Sequence, residues 1–192
     1  MAAAKKVARF PSGFLVAALL VASGILWAVM FFGTLAHLKA LAGGLVPFDV
    51  RPFGYSYEDA RAFLSALGET GRAYYLNPEL VLDAFYPPLY AVSRALALWW
   101  LTMPGRWRDG DTPPVWRWTL MAIPIVMALL DGCVENVSIA KMLRQSPDLS
   151  PGLVEVASLA TRVKLVMGVL TEVAMAVLAA AAALRWFRLR RA

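Results

Sequence analysis

The stretch Phe14–Phe32, with the sequence FLVAALLVASGILWAVMFF, contains no charged side chain and indicates the fold class. A helix that crosses a bilayer needs about 20 mainly apolar residues. The rest of the chain has a similar character, because 60% of its 192 residues are hydrophobic and its mean hydropathy is +0.61. Soluble domains are roughly 45–50% apolar. We therefore predict an all-α integral membrane protein in which residues 1–192 form a single membrane domain.

Apolar segments of spanning length recur along the chain, and together they predict a bundle of four transmembrane helices. The predicted spans cover about residues 14–38, 78–103, 115–143 and 163–184. Basic residues precede the first span, as they precede a signal peptide. Its apolar stretch is longer than the ~7–15 residues of a signal h-region, so we interpret it as a retained span.

Helix start signals precede two of these spans. Asn77 can cap the second span and Pro78 suits its first helical position. Ser150 and Pro151 form the same pair before the fourth span. The apolar pattern that follows is longer than a bilayer requires, so we predict an amphipathic entry over residues 151–161.

The predicted loop over residues 39–77 is the only long connection, and it contains a helix of its own. Ser56 and Asp59 have the spacing of a capping box, with Asp in place of Glu. Apolar residues then recur at helical spacing, at Ala60, Phe63, Leu64 and Leu67. Gly68 can end this segment. We predict a short amphipathic helix outside the cytoplasm, lying on the membrane or capping the bundle.

The formal net charge of +6 arises from basic residues that lie beside the spans. The cytoplasmic set is predicted to be Lys5, Lys6, Arg9, Arg106, Arg108, Arg117, Arg185, Arg188, Arg190 and Arg191. The opposite set is more dilute and is offset by acidic residues: Lys39, Arg51, Arg61, Arg72, Lys141, Arg144, Arg162 and Lys164. This asymmetry predicts cytoplasmic N- and C-termini. The lipid bilayer is the expected partner and nucleic acid is not, because no basic, aromatic-studded soluble module is present.

Cysteine and histidine are too scarce for the common metal centres. Cys133 is the single cysteine, which excludes an intrachain disulfide, and His37 is the single histidine. Zinc, haem and copper sites usually need more of these ligands. We predict no metal site and no cofactor.

Ionisable and amide side chains inside the spans are the candidate functional residues. Each charged one costs about 2.5–3.5 kcal/mol on insertion scales, so it needs a partner or a cavity. The candidate ligand-binding residues are Asp83, Tyr90, Arg94, Asp131, Glu135, Asn136 and Glu172. Asp131 and Glu135 are four residues apart and share one helix face. A rise of about 1.5 Å per residue predicts that Asp131 and Glu172 share one layer and that Arg94 lies deeper.

Three interpretations of these residues stay open. They could line an acidic cleft that opens outward and is closed below by Arg94, or they could form a proton or ion path. They could also be structural ties between helices. In the structural interpretation Asp131 pairs with Arg94, and Asn136 satisfies carbonyl groups freed by Pro87 and Pro88.

A resemblance adds to this reading. The segments Gly54–Glu58, Leu67–Tyr74, Asp83 with Tyr86-Pro87 and Tyr90, and Asp131 with Glu135-Asn136 resemble a family of small bacterial four-span integral membrane proteins with no assigned activity. The resemblance implies a bacterial inner-membrane location and implies no catalytic residue or ligand.

Residues of the long loop predict a lid over the outer end of the cleft. The lid candidates are Tyr55, Arg72 and Tyr74. Arg72 could neutralise Asp83 or Glu135 from above, or it could make only a loop hydrogen bond.

The leading functional hypothesis is a membrane binding module that holds a small amphipathic or lipid-like molecule in the acidic cleft. The alternatives are an intramembrane carboxylate-dependent enzyme acting on a lipid, a proton-coupled transporter and a structural subunit of a membrane complex. The sequence leaves open whether the chain is an enzyme and whether it forms a homo-oligomer.

Overall fold

The structure is a computed structural model that describes residues 12–103 and 115–191. Its helices are α1, Gly13–Leu41; α2, Tyr57–Tyr74; α3, Leu80–Leu101; α4, Val115–Gln145; and α5, Pro151–Arg191. Within the described ranges the chain is helical and contains no strand. The predicted all-α class is therefore confirmed.

Three of these helices are long and apolar enough to cross a membrane, over Gly13–Leu41, Val115–Gln145 and Pro151–Arg188. Helix α3 has 22 residues and lies among them, but Asp83, Arg94, two prolines and two tyrosines make it less apolar. The chain is therefore a membrane-type helical protein, with α3 as the most polar member of the bundle.

The helices pack in the order α1, α3, α4 and α5, each against the next. Helix α5 also contacts α3 across the bundle, whereas α1 and α5 pack little against each other. The bundle therefore has a gap along one side, between its first and last helices.

One end of the bundle, here called the capped end, is covered by α2 and by the connection that precedes it. The capping box at the start of α2 is confirmed: Asp59 N–H donates to Ser56 Oγ at 3.1 Å and Ser56 N–H donates to Asp59 Oδ2 at 2.9 Å. The four predicted apolar residues of α2 are buried in a core with the ends of α1 and α4 and the start of α5. Phe48 is fully buried there, against Tyr55 and Phe63.

Three π-helical turns interrupt the helices, over Met30–Thr34, Tyr75–Glu79 and Leu130–Glu135. The second joins α2 to α3 without a break, so the predicted helix start at Asn77 and Pro78 is wrong. Asn77 instead donates from Nδ2 to the Ala73 carbonyl at 2.8 Å, within the preceding turn. Turns of this kind are frequent at functional sites.

Two other helix boundaries agree with the prediction. Gly68 leaves the helical region, with φ of 62°, so it ends the first segment of α2, and a second segment continues across a kink to Tyr74. Glycine tolerates this positive φ because it has no Cβ. Helix α5 begins at Pro151, as predicted, and residues 151–161 form its first turns.

Candidate functional site

A buried lysine organises the polar residues of the bundle. Lys164 Nζ on α5 lies 2.9 Å from Asp131 Oδ1 and 2.8 Å from Glu135 Oε2 on α4. The side chains of the three residues are 7%, 1% and 0% exposed. Thr161, one turn before Lys164, donates its hydroxyl to Glu135 Oε1 at 2.8 Å. Asp131 and Glu135 are thus both tied to α5.

The sequence analysis missed Lys164 and counted it among the exposed charges outside the membrane. The error came from starting the fourth span at residue 163, which placed Lys164 at its rim. The spacing of Thr161 and Lys164, three residues apart on one helix face, was the available signal. The π-helical turn that contains Asp131 and Glu135 has no comparable signature in the sequence.

More carboxyl groups than cations are buried near Lys164. Asp83 on α3 is 3% exposed, and Asp49, in the turn Phe48–Val50 before α2, is 7% exposed. Glu79 is fully buried beside Thr34. With Asp131 and Glu135, these make five buried carboxyl groups around a single buried lysine.

Asp49 has one partner in the cap. The Tyr75 hydroxyl donates to Asp49 Oδ2. Burial raises the pKa of Tyr75 well above its ordinary value of 10.0, so the hydroxyl stays protonated and acts as a donor. Asp49 Oδ1 has no hydrogen bond to any described residue, and neither has Asp83 Oδ2.

Asn136 on α4 confirms its predicted structural role. Its Nδ2 donates to the backbone carbonyl of Asp83 at 3.2 Å. That carbonyl lies four residues before Pro87, which has no N–H to donate to it. The amide of Asn136 replaces the missing helical hydrogen bond.

A second ion pair lies farther from the cap. Arg94 Nε is 3.0 Å from Glu172 Oε1, and Arg94 Nη1 lies 2.6 Å from Ser23 Oγ on α1. The predicted pair of Asp131 with Arg94 is therefore wrong. The predicted shared layer of Asp131 and Glu172 is also wrong. Asp131 lies beside Lys164, and Glu172 lies eight residues, or about 12 Å of helix, beyond Lys164. The side chain of Glu172 is 51% exposed, whereas that of Arg94 is 13% exposed.

A cavity of about 500 Å³ lies between these two charged groups. Asp49, Asp83, Asp131 and Lys164 line it towards the cap, and Arg94 and Glu172 line its other end. The walls between them are mostly apolar and include Met30, Met127, Leu165 and the rings of Tyr86 and Tyr90. The Arg94 guanidinium lies over the Tyr90 ring, 4.5 Å from its centroid.

The cavity opens sideways and not past the cap. The exposed residues on its lining are Gly24 and Trp27 of α1 and Val169, Glu172 and Val173 of α5. These belong to the two helices that pack little against each other. The predicted outward opening is therefore replaced by a mouth between α1 and α5.

The three lid candidates do not form a lid over this cavity. Tyr55 is buried against Phe48 in the core of the cap. Arg72 donates to the carbonyl of Leu64 at 3.3 Å, within α2. This local hydrogen bond corresponds to the alternative in which Arg72 does not neutralise Asp83 or Glu135. The Tyr74 ring lies against the His37 ring of α1, with the ring centroids 4.6 Å apart and the planes tilted by 56°. None of the three is among the cavity-lining residues.

A larger groove of about 770 Å³ lies on the other face of the bundle, between α3 and α4. It is lined by apolar and small residues, including Pro88, Ala91, Gly132 and the exposed Cys133. It contains no ionisable carboxyl or basic group, so it lacks the polarity that distinguishes the first cavity.

Comparisons with known proteins gave no relative: the chain matches no protein-family model, no curated protein and no solved structure.

Proposed function

We propose that this protein is a membrane binding module that takes a lipid-like amphiphile from the bilayer into the cavity between α1 and α5. Three features of one cavity together support the proposal. The space has a volume of about 500 Å³ and mostly apolar walls, it has charged groups at both ends, and its mouth lies on the side of the bundle. An amphiphile needs an apolar wall for its tail and polar groups for its head, and it reaches a sideways mouth directly from the lipid.

Within the proposal, the candidate residues divide into two roles. Asp131, Glu135 and Asn136 are structural, because each makes the contacts that tie one helix to another. Asp83 lines the cavity with one carboxylate oxygen unpaired, and Tyr90 lines it with its ring while its hydroxyl donates to the Gly168 carbonyl at 3.5 Å. They are the residues we assign to the ligand.

The proposed topology has four spans in a bacterial inner membrane, with α3 as a span in addition to α1, α4 and α5. Both termini lie in the cytoplasm. The cap with α2 then lies outside the cytoplasm. Arg185, Arg188, Arg190 and Arg191 at the end of α5 support this orientation. Because Lys164 is buried, it no longer counts among the basic residues of the opposite set, and the difference in basic charge between the two sides becomes larger. The remaining basic residues of the cytoplasmic set, apart from Arg117, lie outside the described residues.

The proposal is tested by filling the cavity from α1. A Cβ added to Gly24 meets no heavy atom within 4 Å, and Gly24 lines the cavity, so Gly24→Leu adds apolar atoms at its wall from an unobstructed Cβ. Gly33→Leu is the matched control, because Gly33 lies on the same helix with equally open space and does not line the cavity. Both changes also replace a helical glycine with a better helix former.

The readout is the shift in Tm of detergent-purified protein on adding inner-membrane lipid extract. A ligand at 100 times its Kd stabilises by about 2.7 kcal/mol, or roughly 5–11 °C for a chain of this size. We expect this shift in the unmodified protein and in Gly33→Leu, and a clear loss of it in Gly24→Leu. An equal shift in all three proteins would refute binding in this cavity.

A further inference from the structure

The unpaired polar atoms of the cavity identify the head group that it fits. We propose that the bound amphiphile carries a primary ammonium group, which Asp83 and Asp49 bind at the end of the cavity nearest the cap. This inference rests on the proposed binding function and adds the chemical class of the ligand.

The buried side-chain atoms on the cavity that lack a hydrogen-bond partner are acceptors and not donors. Asp83 Oδ2 and Asp49 Oδ1 are buried, line the cavity and have no hydrogen bond to any described residue. The two cations on the cavity are already engaged: Lys164 with Asp131 and Glu135, and Arg94 with Glu172. A head group must therefore donate hydrogen bonds, and an ammonium group has three donors and no acceptor.

Charge balance favours the same class. Asp49, Asp83, Glu79, Asp131 and Glu135 are buried with a single lysine, so the carboxyl groups that Lys164 does not contact either hold a proton or need a counter-charge. A cationic head group offsets this surplus, whereas a carboxylate or phosphate adds to it. In the part of the chain that the structure describes, no three His, Cys, Asp or Glu side chains are grouped so that they could hold a metal ion. The surplus therefore suits an organic cation.

The rest of the cavity suits the tail. From Asp83 the lining continues along α3 through Tyr86 and Tyr90 to the mouth, where Trp27 and Val173 are exposed. An alkyl chain along this path leaves its head buried at the acidic end and its far end among the lipids. Burial of the chain then supplies affinity and the carboxyl groups supply selectivity.

The experiment compares three probes of equal chain length, dodecylamine, dodecanol and dodecanoate, by competition against bound lipid in native mass spectrometry at neutral pH. We expect dodecylamine to bind at least tenfold more tightly than dodecanol, and dodecanoate to bind most weakly. Asp83→Asn should remove most of that tenfold preference of dodecylamine over dodecanol. Asp148→Asn, which alters an exposed carboxyl group near the cap, is the matched control and should keep the preference.

The outcomes separate this inference from the proposed function. Equal binding of the three probes, all abolished by Gly24→Leu, would overturn the ammonium assignment and leave the binding module standing. Failure of every probe to bind, with no effect of Gly24→Leu on lipid retention, would overturn both. Asp49→Asn provides a second measurement of the preference should Asp83→Asn not fold.

Discussion

Replacing Lys164 by methionine tests whether the buried lysine holds the bundle together. The change keeps an unbranched side chain out to the Cε position and removes the ammonium group that lies 2.9 Å from Asp131 and 2.8 Å from Glu135. At an effective dielectric constant near 20, each contact corresponds to roughly 6 kcal/mol of gross Coulomb attraction. Desolvation of the three groups offsets much of this. Removing one partner of a buried pair costs about 3–5 kcal/mol, because it leaves the other charge uncompensated.

We therefore expect Lys164→Met to lower the Tm in detergent by roughly 6–20 °C, at about 2–4 °C per kcal/mol for a chain of this size. Lys141→Met, at an exposed position of α4, should change it little. Adding Asp131→Asn and Glu135→Gln to Lys164→Met should recover most of the loss, since neither of the two carboxyl partners of Lys164 then carries a charge. The reasoning is refuted if the single variant is as stable as the Lys141→Met control, or if the triple variant is less stable than the single one.

Two further predictions concern the backbone. Asn136→Leu leaves the Asp83 carbonyl without its donor and should cost about 1–3 kcal/mol in the free energy of unfolding. Adding Pro87→Ala supplies a helical N–H and should restore part of this, whereas no recovery would contradict the assigned role. Backbone and side-chain hydrogen bonds from Ser56 lower the pKa of Asp59 below its ordinary 3.8. The stabilisation that these bonds give to the folded state is fully present above the ordinary pKa. It is lost as the pH falls through the lower pKa of the folded state. Ser56→Ala removes the side-chain bond and keeps the backbone one, so it should reduce this acid dependence in part and cost about 0.5–2 kcal/mol, measured by thermal unfolding across pH. An unchanged acid profile would argue against the role of the hydroxyl.

Patterns that are local in the chain predicted the fold well. The long apolar runs predicted α1, α4 and α5, and the spacing of Ser56 and Asp59 predicted the start of α2. The hydrogen bond of Asn136 followed from the chemistry of proline, which always frees a carbonyl group four residues earlier. In each case the structural feature is determined by residues a few positions apart or by the missing N–H of proline.

Partners between distant helices were not predictable in the same way. Depth counting assumes that each helix enters the bilayer at a known residue and rises without interruption. Helix α5 extends beyond any span, and a π-helical turn in α4 alters the positions of Asp131 and Glu135. Both departures shift the register between α4 and α5, so the count placed Asp131 in one layer with Glu172, whereas the structure places it beside Lys164. The sideways mouth exists because α1 and α5 pack little against each other. The absence of a contact between two distant helices cannot be predicted from the sequence of either helix alone.

The central claim is that an amphiphile occupies the space between α1 and α5, and photocrosslinking tests it most directly. Full-length protein in native membranes would be labelled with dodecylamine bearing a diazirine on its chain, and the labelled peptides would be mapped by mass spectrometry. The account predicts labels on α1 near Trp27 and on α5 near Val169 and Val173, lost in Gly24→Leu and kept in Gly33→Leu. Labels confined to the groove between α3 and α4 near Cys133, or spread evenly over the lipid-facing surface, would contradict it.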